Sequence, residues 1–235
     1  MLANNNEAII NKLAKNSVKT NKKQYAILFF TIILSAFMLF CVFTIGMTYL
    51  NSSRLQNTRL NGAEYDIVTM NGFTSEQLNT LQQNENIRSV GIESYAGFIQ
   101  STEYDKTVEI GLLWCDEVFW DNLMSPARTK LDGHYPQNKN ELMVTKDILK
   151  TCGNENLSVG DSLILTYENN TGVYTDEFVI SGIWDGYGDT SAGFVSKAFY
   201  DETGYDLKNN GILCIKLNCN YVFPTTIQSL SLIHI

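Results

Sequence analysis

Few residues in this 235-residue chain are of types that do chemistry, and their spacing limits what they can do. There are two histidines, His134 and His234. Neither belongs to a His-Glu-x-x-His metal motif, and no Gly-x-Ser-x-Gly elbow presents a nucleophile. His134 follows Asp132-Gly133, a turn signal, where an imidazole is expected to be solvated. No Gly-x-x-x-x-Gly-Lys-[Ser/Thr] run is available to cradle phosphates, so the chain cannot bind ATP through a loop of that kind. Asp185-Gly186-Tyr187-Gly188-Asp189 brings two carboxylates close together. It lacks the alternating Asp/Asn ligands and distal Glu of a calcium loop, so it reads as a connection. The expectation is a chain with no catalytic, cofactor-binding or metal-binding residues of its own.

The cysteines are the other reactive group. Cys41 falls in an apolar run and reads as filling. Cys115, Cys152, Cys214 and Cys219 come later, and four cysteines allow three pairings if all are joined. Cys214 and Cys219 would close a small loop at the end of the last expected strand. The spacing permits that disulfide and does not require it.

What must position these residues is set by one stretch, Ala26 to Leu50, which reads AILFFTIILSAFMLFCVFTIGMTYL. It holds no charged residue, no Asn, Gln or His, and no Pro. As a helix it would cover roughly 37 Å, enough to cross a hydrocarbon core about 30 Å thick with some tilt. A backbone in lipid must satisfy its own hydrogen bonds, which favours the helix. The stretch is longer than the h-region of a signal peptide. Asn51-Ser52-Ser53-Arg54 follows it rather than a small-residue cleavage site, so an uncleaved anchor is expected. Thr31, Ser35 and Gly46 are small residues that would let other helices approach.

Charge divides at this stretch. Residues 1–50 carry five Lys and one Glu, a net of +4. The whole chain has 17 basic and 25 acidic groups, leaving 12 and 24 beyond residue 50, a net of −12. Basic residues flank the cytoplasmic side of a span, so the expected orientation is N-terminus in the cytoplasm, main domain extracytoplasmic, in the cell membrane. An acidic domain argues against nucleic acid as a partner. Residues 1–24 read as a basic amphipathic helix. Ile9, Ile10, Leu13 and Val18 fall near one face, and Lys12, Lys15 and Lys19, continued by Lys22 and Lys23, meet the headgroups of membrane lipid.

Residues 25–50 are then the transmembrane helix and 51–63 a stalk, with Leu55 and Leu60 spaced along it and Gly62 at its end. Residues 64–220 alternate strand and short-helix signals and are expected to form one α+β domain of antiparallel hairpins and short helices. Strands are expected at 64–70, 87–100, 107–115, 142–144, 162–167, 174–184, 194–196 and 212–217. Thr74 with Gln77 forms a capping box ahead of Leu78 and Leu81. Asp116–Leu123 reads as a short helix or turn, and Thr145 caps a helix ended by Gly153. Asn169-Asn170-Thr171-Gly172 is a hairpin turn. Trp114, Trp120 and Trp184 read as core. Residues 221–235 find no place in this scheme and read as an unassigned tail, with foreign sequence one explanation.

One segment has a familiar pattern. It runs from Gly133 and Pro136 through Asn140-Glu141-Leu142-Met143-Val144 and Val159-Gly160-Asp161 to Phe178-Val179-Ile180-Ser181-Gly182-Ile183-Trp184. It resembles the extracytoplasmic core domain of MacB-type and FtsX-like ABC transporter permeases, with Ile180 where Val is usual. The run LAKNSVKTNKKQ before the span is similar to the juxtamembrane helix of the same family. The resemblance covers about residue 9 to about residue 217.

It implies a permease subunit that couples ATP hydrolysis by a separate ABC ATPase to movement of the outer domain, for export, extraction or signalling. ATP would sit on that partner. A second permease subunit or a second copy of this chain would complete the assembly, and Leu55 and Leu60 would help transmit movement. Such permeases carry further spans, so the chain is expected to be an amino-terminal fragment. The alternative is a single-pass, membrane-anchored sensory or ligand-binding domain. A membrane-anchored enzyme ranks behind both, for want of a nucleophile, base or metal cluster.

Overall fold

The structure is a computed structural model that describes residues 6–100, 110–187 and 192–218. Residues 104–106, which read from the sequence as a turn between two strands, lie outside the described residues, as do Asp189, Cys219, His234 and the 221–235 tail. The chain divides into two compact units, Met1–Arg54 and Leu55–Ile235.

The first unit is helical. Helix α1 spans Asn6–Thr20 and α2 spans Lys22–Asn61. They meet at Asn21, whose carbonyl accepts from the N–H groups of Gln24 and Tyr25 at 3.0 and 3.1 Å. Ser17 and Tyr25 join their hydroxyls across the junction at 3.2 Å. Among the described residues α2 is the one helix long and apolar enough to cross a membrane. Its Phe29, Phe30, Phe37, Phe40 and Phe43 all stand exposed. Such a surface is unfavourable in water and natural in lipid. Thr31 and Thr44 donate their hydroxyls to the carbonyls of Ile27 and Phe40, each at 2.8 Å, so these polar groups are satisfied within the helix.

The second unit begins with the last turns of α2, which stops at Gly62. That residue has φ +73°, a left-handed conformation suited to a helix end. Nine strands among the described residues then form one mixed sheet. They are β1 (Ile67–Thr69), β2 (Ile87–Ile99), β3 (Ile110–Cys115), β4 (Arg128–Gly133), β5 (Glu141–Thr145), β6 (Ser162–Asn169), β7 (Gly172–Gly186), β8 (Ala192–Val195) and β9 (Gly211–Leu217).

Short helices lie between them: α3 (Ser75–Gln82), α4 (Lys146–Thr151), α5 (Lys197–Tyr200) and α6 (Leu207–Asn210). Caps expected from the sequence are present. The Thr74 hydroxyl accepts from Gln77 N–H at 3.2 Å while the Gln77 side chain accepts from Thr74 N–H at 2.8 Å. Thr145 caps α4 by accepting from Ile148 N–H at 3.2 Å.

The strand order is β1-β9-β2-β3-β8-β5-β7-β4, and β6 pairs with both β2 and β7. The pairings therefore close a ring, β2-β3-β8-β5-β7-β6-β2. Most pairs are antiparallel, as expected, but β3–β8 and β5–β7 are parallel. Inside the ring lie Leu112, Leu142, Leu163, Leu165, Phe178, Ile180 and Val195, each nearly devoid of solvent contact. An extra residue in β2 between Tyr95 and Gly97 shifts its register on β3, so that Ile99 falls opposite Ile110 within this core.

One local expectation is corrected, and one element is added. Asp132-Gly133, expected as a turn, ends strand β4, whose Asp132 and Gly133 pair with Ile183 and Gly182 of β7. Helix α6 is a single turn capped by Asp206, and no apolar period announces it.

The segments that carry the family resemblance converge on β7. Val179 N–H donates to Asn140 at 2.8 Å, Ile180 N–H to Asp161 at 2.9 Å, and Gly160 N–H to Ile180 at 2.8 Å. Glu141 accepts from the N–H groups of Gln137 and Asn138 at 2.7 and 3.1 Å, and from the Asn138 amide at 2.7 Å. Slight burial opposes ionisation of Glu141, but these bonds outweigh it and hold the carboxyl below its ordinary range. The residues of this motif build a junction of three chain segments. Their work is structural.

Candidate functional site

The site with the most unusual chemistry lies on the other face of β2. The strand alternates: Val90, Ile92 and Ala96 point into the ring, while Gly91, Glu93 and Tyr95 point outward. The outward face is only partly open to water, with Glu93 half-buried and Tyr95 exposed. A π-helical turn, Val118–Leu123, covers it and brings Phe119, Trp120 and Leu123 into a second apolar cluster with Trp184, Phe194 and Cys214. Gly91 permits this approach. A Cβ there would stand 2.7 Å from a methyl of Leu123 and 2.9 Å from the Phe119 backbone. Asp116 pins the turn to the strand, its Oδ1 accepting from Ile92 N–H at 2.9 Å and Phe119 N–H at 2.8 Å.

The aromatic side chains meet in sequence at steep, largely edge-to-face angles. Trp120 lies 5.1 Å from Tyr135 and 5.3 Å from Phe194, and Phe194 lies 5.5 Å from Trp184. The Trp184 indole donates to the Ala192 carbonyl at 3.1 Å. Tyr135 places its hydroxyl among the Cys115 N–H and the carbonyls of Cys115 and Val195, at 3.0, 3.2 and 3.3 Å. The Arg128 guanidinium sits 4.0 Å over the Trp120 ring. The three tryptophans expected as core are all buried.

Between this cluster and the start of β1 is a cavity of about 210 Å³. Its aromatic walls are Tyr65, Tyr95, Phe119, Trp184 and Phe194, and it also meets Asn61 and Gly62 at the end of α2. Met70 and Tyr95 are exposed and form its rim, whereas Trp184, Phe194 and Cys214 are buried and form its floor. Glu93 lines it too. No hydrogen bond or ion pair joins the Glu93 carboxylate to another described residue. Burial pushes its pKa up to about 7. Burial likewise raises the pKa of Cys115 and Tyr135, which also lie near this face, and that of Cys214 on its floor.

The end of α2 is anchored to the same unit. Thr58 is buried, and the Arg59 guanidinium lies 4.0 Å over the Tyr187 ring while donating to its hydroxyl at 3.3 Å. Past Gly62, Glu64 N–H donates to the Leu123 carbonyl at 2.7 Å. Lys216 pairs with Glu64 and Asp66 at 3.0 and 3.4 Å.

The residues singled out in the sequence lie mostly elsewhere. Lys12, Lys15, Lys19, Lys22 and Lys23 are all exposed on α1 and the start of α2. Leu55 and Leu60 are exposed on the last turns of α2, and it is Thr58 and Arg59 that meet the rest of the second unit. Cys214 is buried on β9, and its suggested partner Cys219 is outside the described residues. Among the described residues no group of His, Cys, Asp or Glu could hold a metal ion.

Glu93 was not singled out. On an alternating strand it reads as a solvent-facing residue. The available signal was its neighbourhood, because Cys115 and Ile212, which pair with it, and Tyr95 and Leu113 make that face largely apolar.

No family model matches the chain, and no curated protein matches it. Solved structures do. The fold is similar to the extracellular domain of the noncanonic ABC-type transporter YknZ from Gram-positive bacteria, with 14% identity and a TM-score of 0.43 over 68% of this chain and 78% of that one. It is also similar to the periplasmic region of MacB from Actinobacillus actinomycetemcomitans, at 14% identity and a TM-score of 0.45 over 71% of this chain and 83% of that one.

Proposed function

We propose that the chain is part of an ABC transporter permease, in which a membrane span and an outer domain respond to an ATPase on the cytoplasmic side. The observation that carries this reading is α2. One uninterrupted helix, Lys22–Asn61, holds the apolar span and also the Thr58 and Arg59 anchors of the outer unit. A helix that continues without a break can carry a displacement along its length, where a flexible linker would absorb it. The resemblance of the Gly133–Trp184 segment supports the same reading.

On it, Lys12, Lys15, Lys19, Lys22 and Lys23 hold the N-terminus at the cytoplasmic leaflet beside the ATPase, with ATP bound there and not here. A second permease subunit or a second copy of this chain completes the pair. Nucleotide binding shifts the equilibrium between two arrangements, and α2 carries the shift outward.

The test is to embed the chain with its neighbouring ATPase in nanodiscs, with the native cysteines replaced, and label a single cysteine placed at the exposed Asp185, which leaves the Arg59–Tyr187 contact intact. Labelling is expected to speed several-fold on adding ATP, and more slowly in Arg59→Ala. A labelling rate indifferent to ATP sinks the coupling reading. Labelling of that cysteine from the cytoplasmic side of intact cells sinks the orientation.

The runner-up, a membrane-anchored ligand-binding or sensory domain, is favoured by one observation, the Glu93 cavity.

A further inference from the structure

The Glu93 cavity has a composition that selects among ligands. Its walls are aromatic and aliphatic, and its charge is a single carboxylate that no described residue neutralises. An anion would be repelled. A neutral apolar molecule would fill the space and leave the carboxylate stranded, which is costly. A metal ion needs several oxygen ligands, and the described residues offer no such group. An organic cation satisfies both halves of the site. Its charge meets the carboxylate through charge-assisted hydrogen bonds, and its body meets the aromatic walls.

We propose that this cavity is a binding site for a small primary ammonium carried on a compact apolar body, with Glu93 accepting from the ammonium and Trp184, Phe194 and Tyr65 enclosing the rest. The cavity of about 210 Å³ has room for a group of a few carbons. It opens at Met70 and Tyr95, the exposed members of its lining, so a ligand has a way in. Asn61 and Gly62 lie against it, so an occupant touches the end of α2 as well as the sheet. The inference does not rest on the permease reading. A chain with no ATPase partner would have the same site.

Binding should follow the ionisation of Glu93. The titratable groups around it are Tyr65 after α2, Cys115 on β3, Tyr135 ahead of β5 and Cys214 on β9. Burial raises the pKa of each of them, so none ionises between pH 6 and 8. Asp116 acts on both Cys115 and Cys214, and Arg128 on Cys115. With a pKa of about 7, Glu93 goes from about one-tenth to about nine-tenths ionised over that range, while an alkylammonium stays charged.

The experiment titrates butylammonium, and separately butanol, into the full chain in nanodiscs and follows the Trp184 indole resonance. Butylammonium is expected to bind about tenfold more tightly than butanol, and to tighten about ninefold from pH 6 to 8. Asp116→Asn should keep that pH dependence. Glu93→Gln should abolish both the preference and the pH dependence, and Glu93→Asp should restore part of each. Equal binding of the two probes by the wild-type chain, or binding indifferent to pH, overturns the proposal without recourse to any variant. A Glu93→Gln protein that folds and still prefers butylammonium overturns it too.

Discussion

Strand β2 meets two environments, and they differ in kind. Its inner face, with Val90, Ile92, Ala96 and Ile99, looks into the closed ring of strands, and its polar member, Ser94, is buried and accepts from the Tyr200 hydroxyl at 3.2 Å. Its outer face, with Gly91, Glu93 and Tyr95, lies under a π-helical turn beside a cavity. The inner side is packed for stability. The outer side keeps an unfilled space and an unpaired carboxyl, both of which lower stability and neither of which packing requires. Cavities and stranded charges that persist in a folded protein are the usual marks of a site that does something else.

The contrast can be tested by mutation, beginning on the inner face. Phe178→Ala removes one of the largest buried side chains of the ring and is expected to cost about 3–5 kcal/mol. Urea unfolding of the full chain in detergent, followed by tryptophan fluorescence, would measure it. A loss under 1 kcal/mol would mean that the ring is not the stabilising core.

On the outer face the expected sign is opposite. Glu93 has a folded pKa raised from 4.5 to about 7, so the native state holds its proton more tightly than the unfolded chain does. Stability is then highest below pH 4.5, falls as pH rises towards 7, and levels off above it, with a total change of roughly 3 kcal/mol. Glu93→Gln should flatten that slope. The variant should match the wild type near pH 4 and exceed it at pH 8, in the same unfolding experiment run across pH. A variant less stable than the wild type at pH 8 would show that the carboxylate has a favourable partner.

The smallest effect concerns the cover. Asp116→Ala removes two hydrogen bonds to backbone N–H groups and is expected to cost about 1–2 kcal/mol, with faster hydrogen exchange at Phe119 and Ile92. Asp116→Asn should lose less, because its amide oxygen can still accept. If exchange in the π-helical turn is unchanged in Asp116→Ala, the turn is held by its aromatic packing instead.

How much of this was legible in the sequence follows the range of the interactions. The Thr74 and Thr145 caps, the Val159-Gly160-Asp161 turn and the hairpin at Asn169–Gly172 each depend on residues a few positions apart, and each is where the sequence places it. Strand β4 was missed because Arg-Thr-Lys-Leu-Asp-Gly carries almost no apolar alternation. It is a strand because β7 lies beside it, some fifty residues on. The parallel pairs β3–β8 and β5–β7 were missed for the same reason. Glu93 is the most instructive miss. Alternation says which side of β2 it occupies, and it cannot say that Phe119, Trp184 and Phe194, from three other segments, will close over that side.

The position of β9 in the sheet has a consequence for how the molecule comes into being. It is the last described strand, yet it lies between β1 and β2, with Ile67 opposite Ile215 and Ile92 opposite Leu213. Synthesis delivers β2 long before its neighbour exists. Until Gly211–Leu217 emerges, β1 has no strand to pair with and the first half of β2 has an open edge. Contacts this distant along the chain form slowly and late. The second unit should therefore acquire its structure in one step near the end of its synthesis, and a chain cut just before Gly211 should fail to fold rather than fold in part.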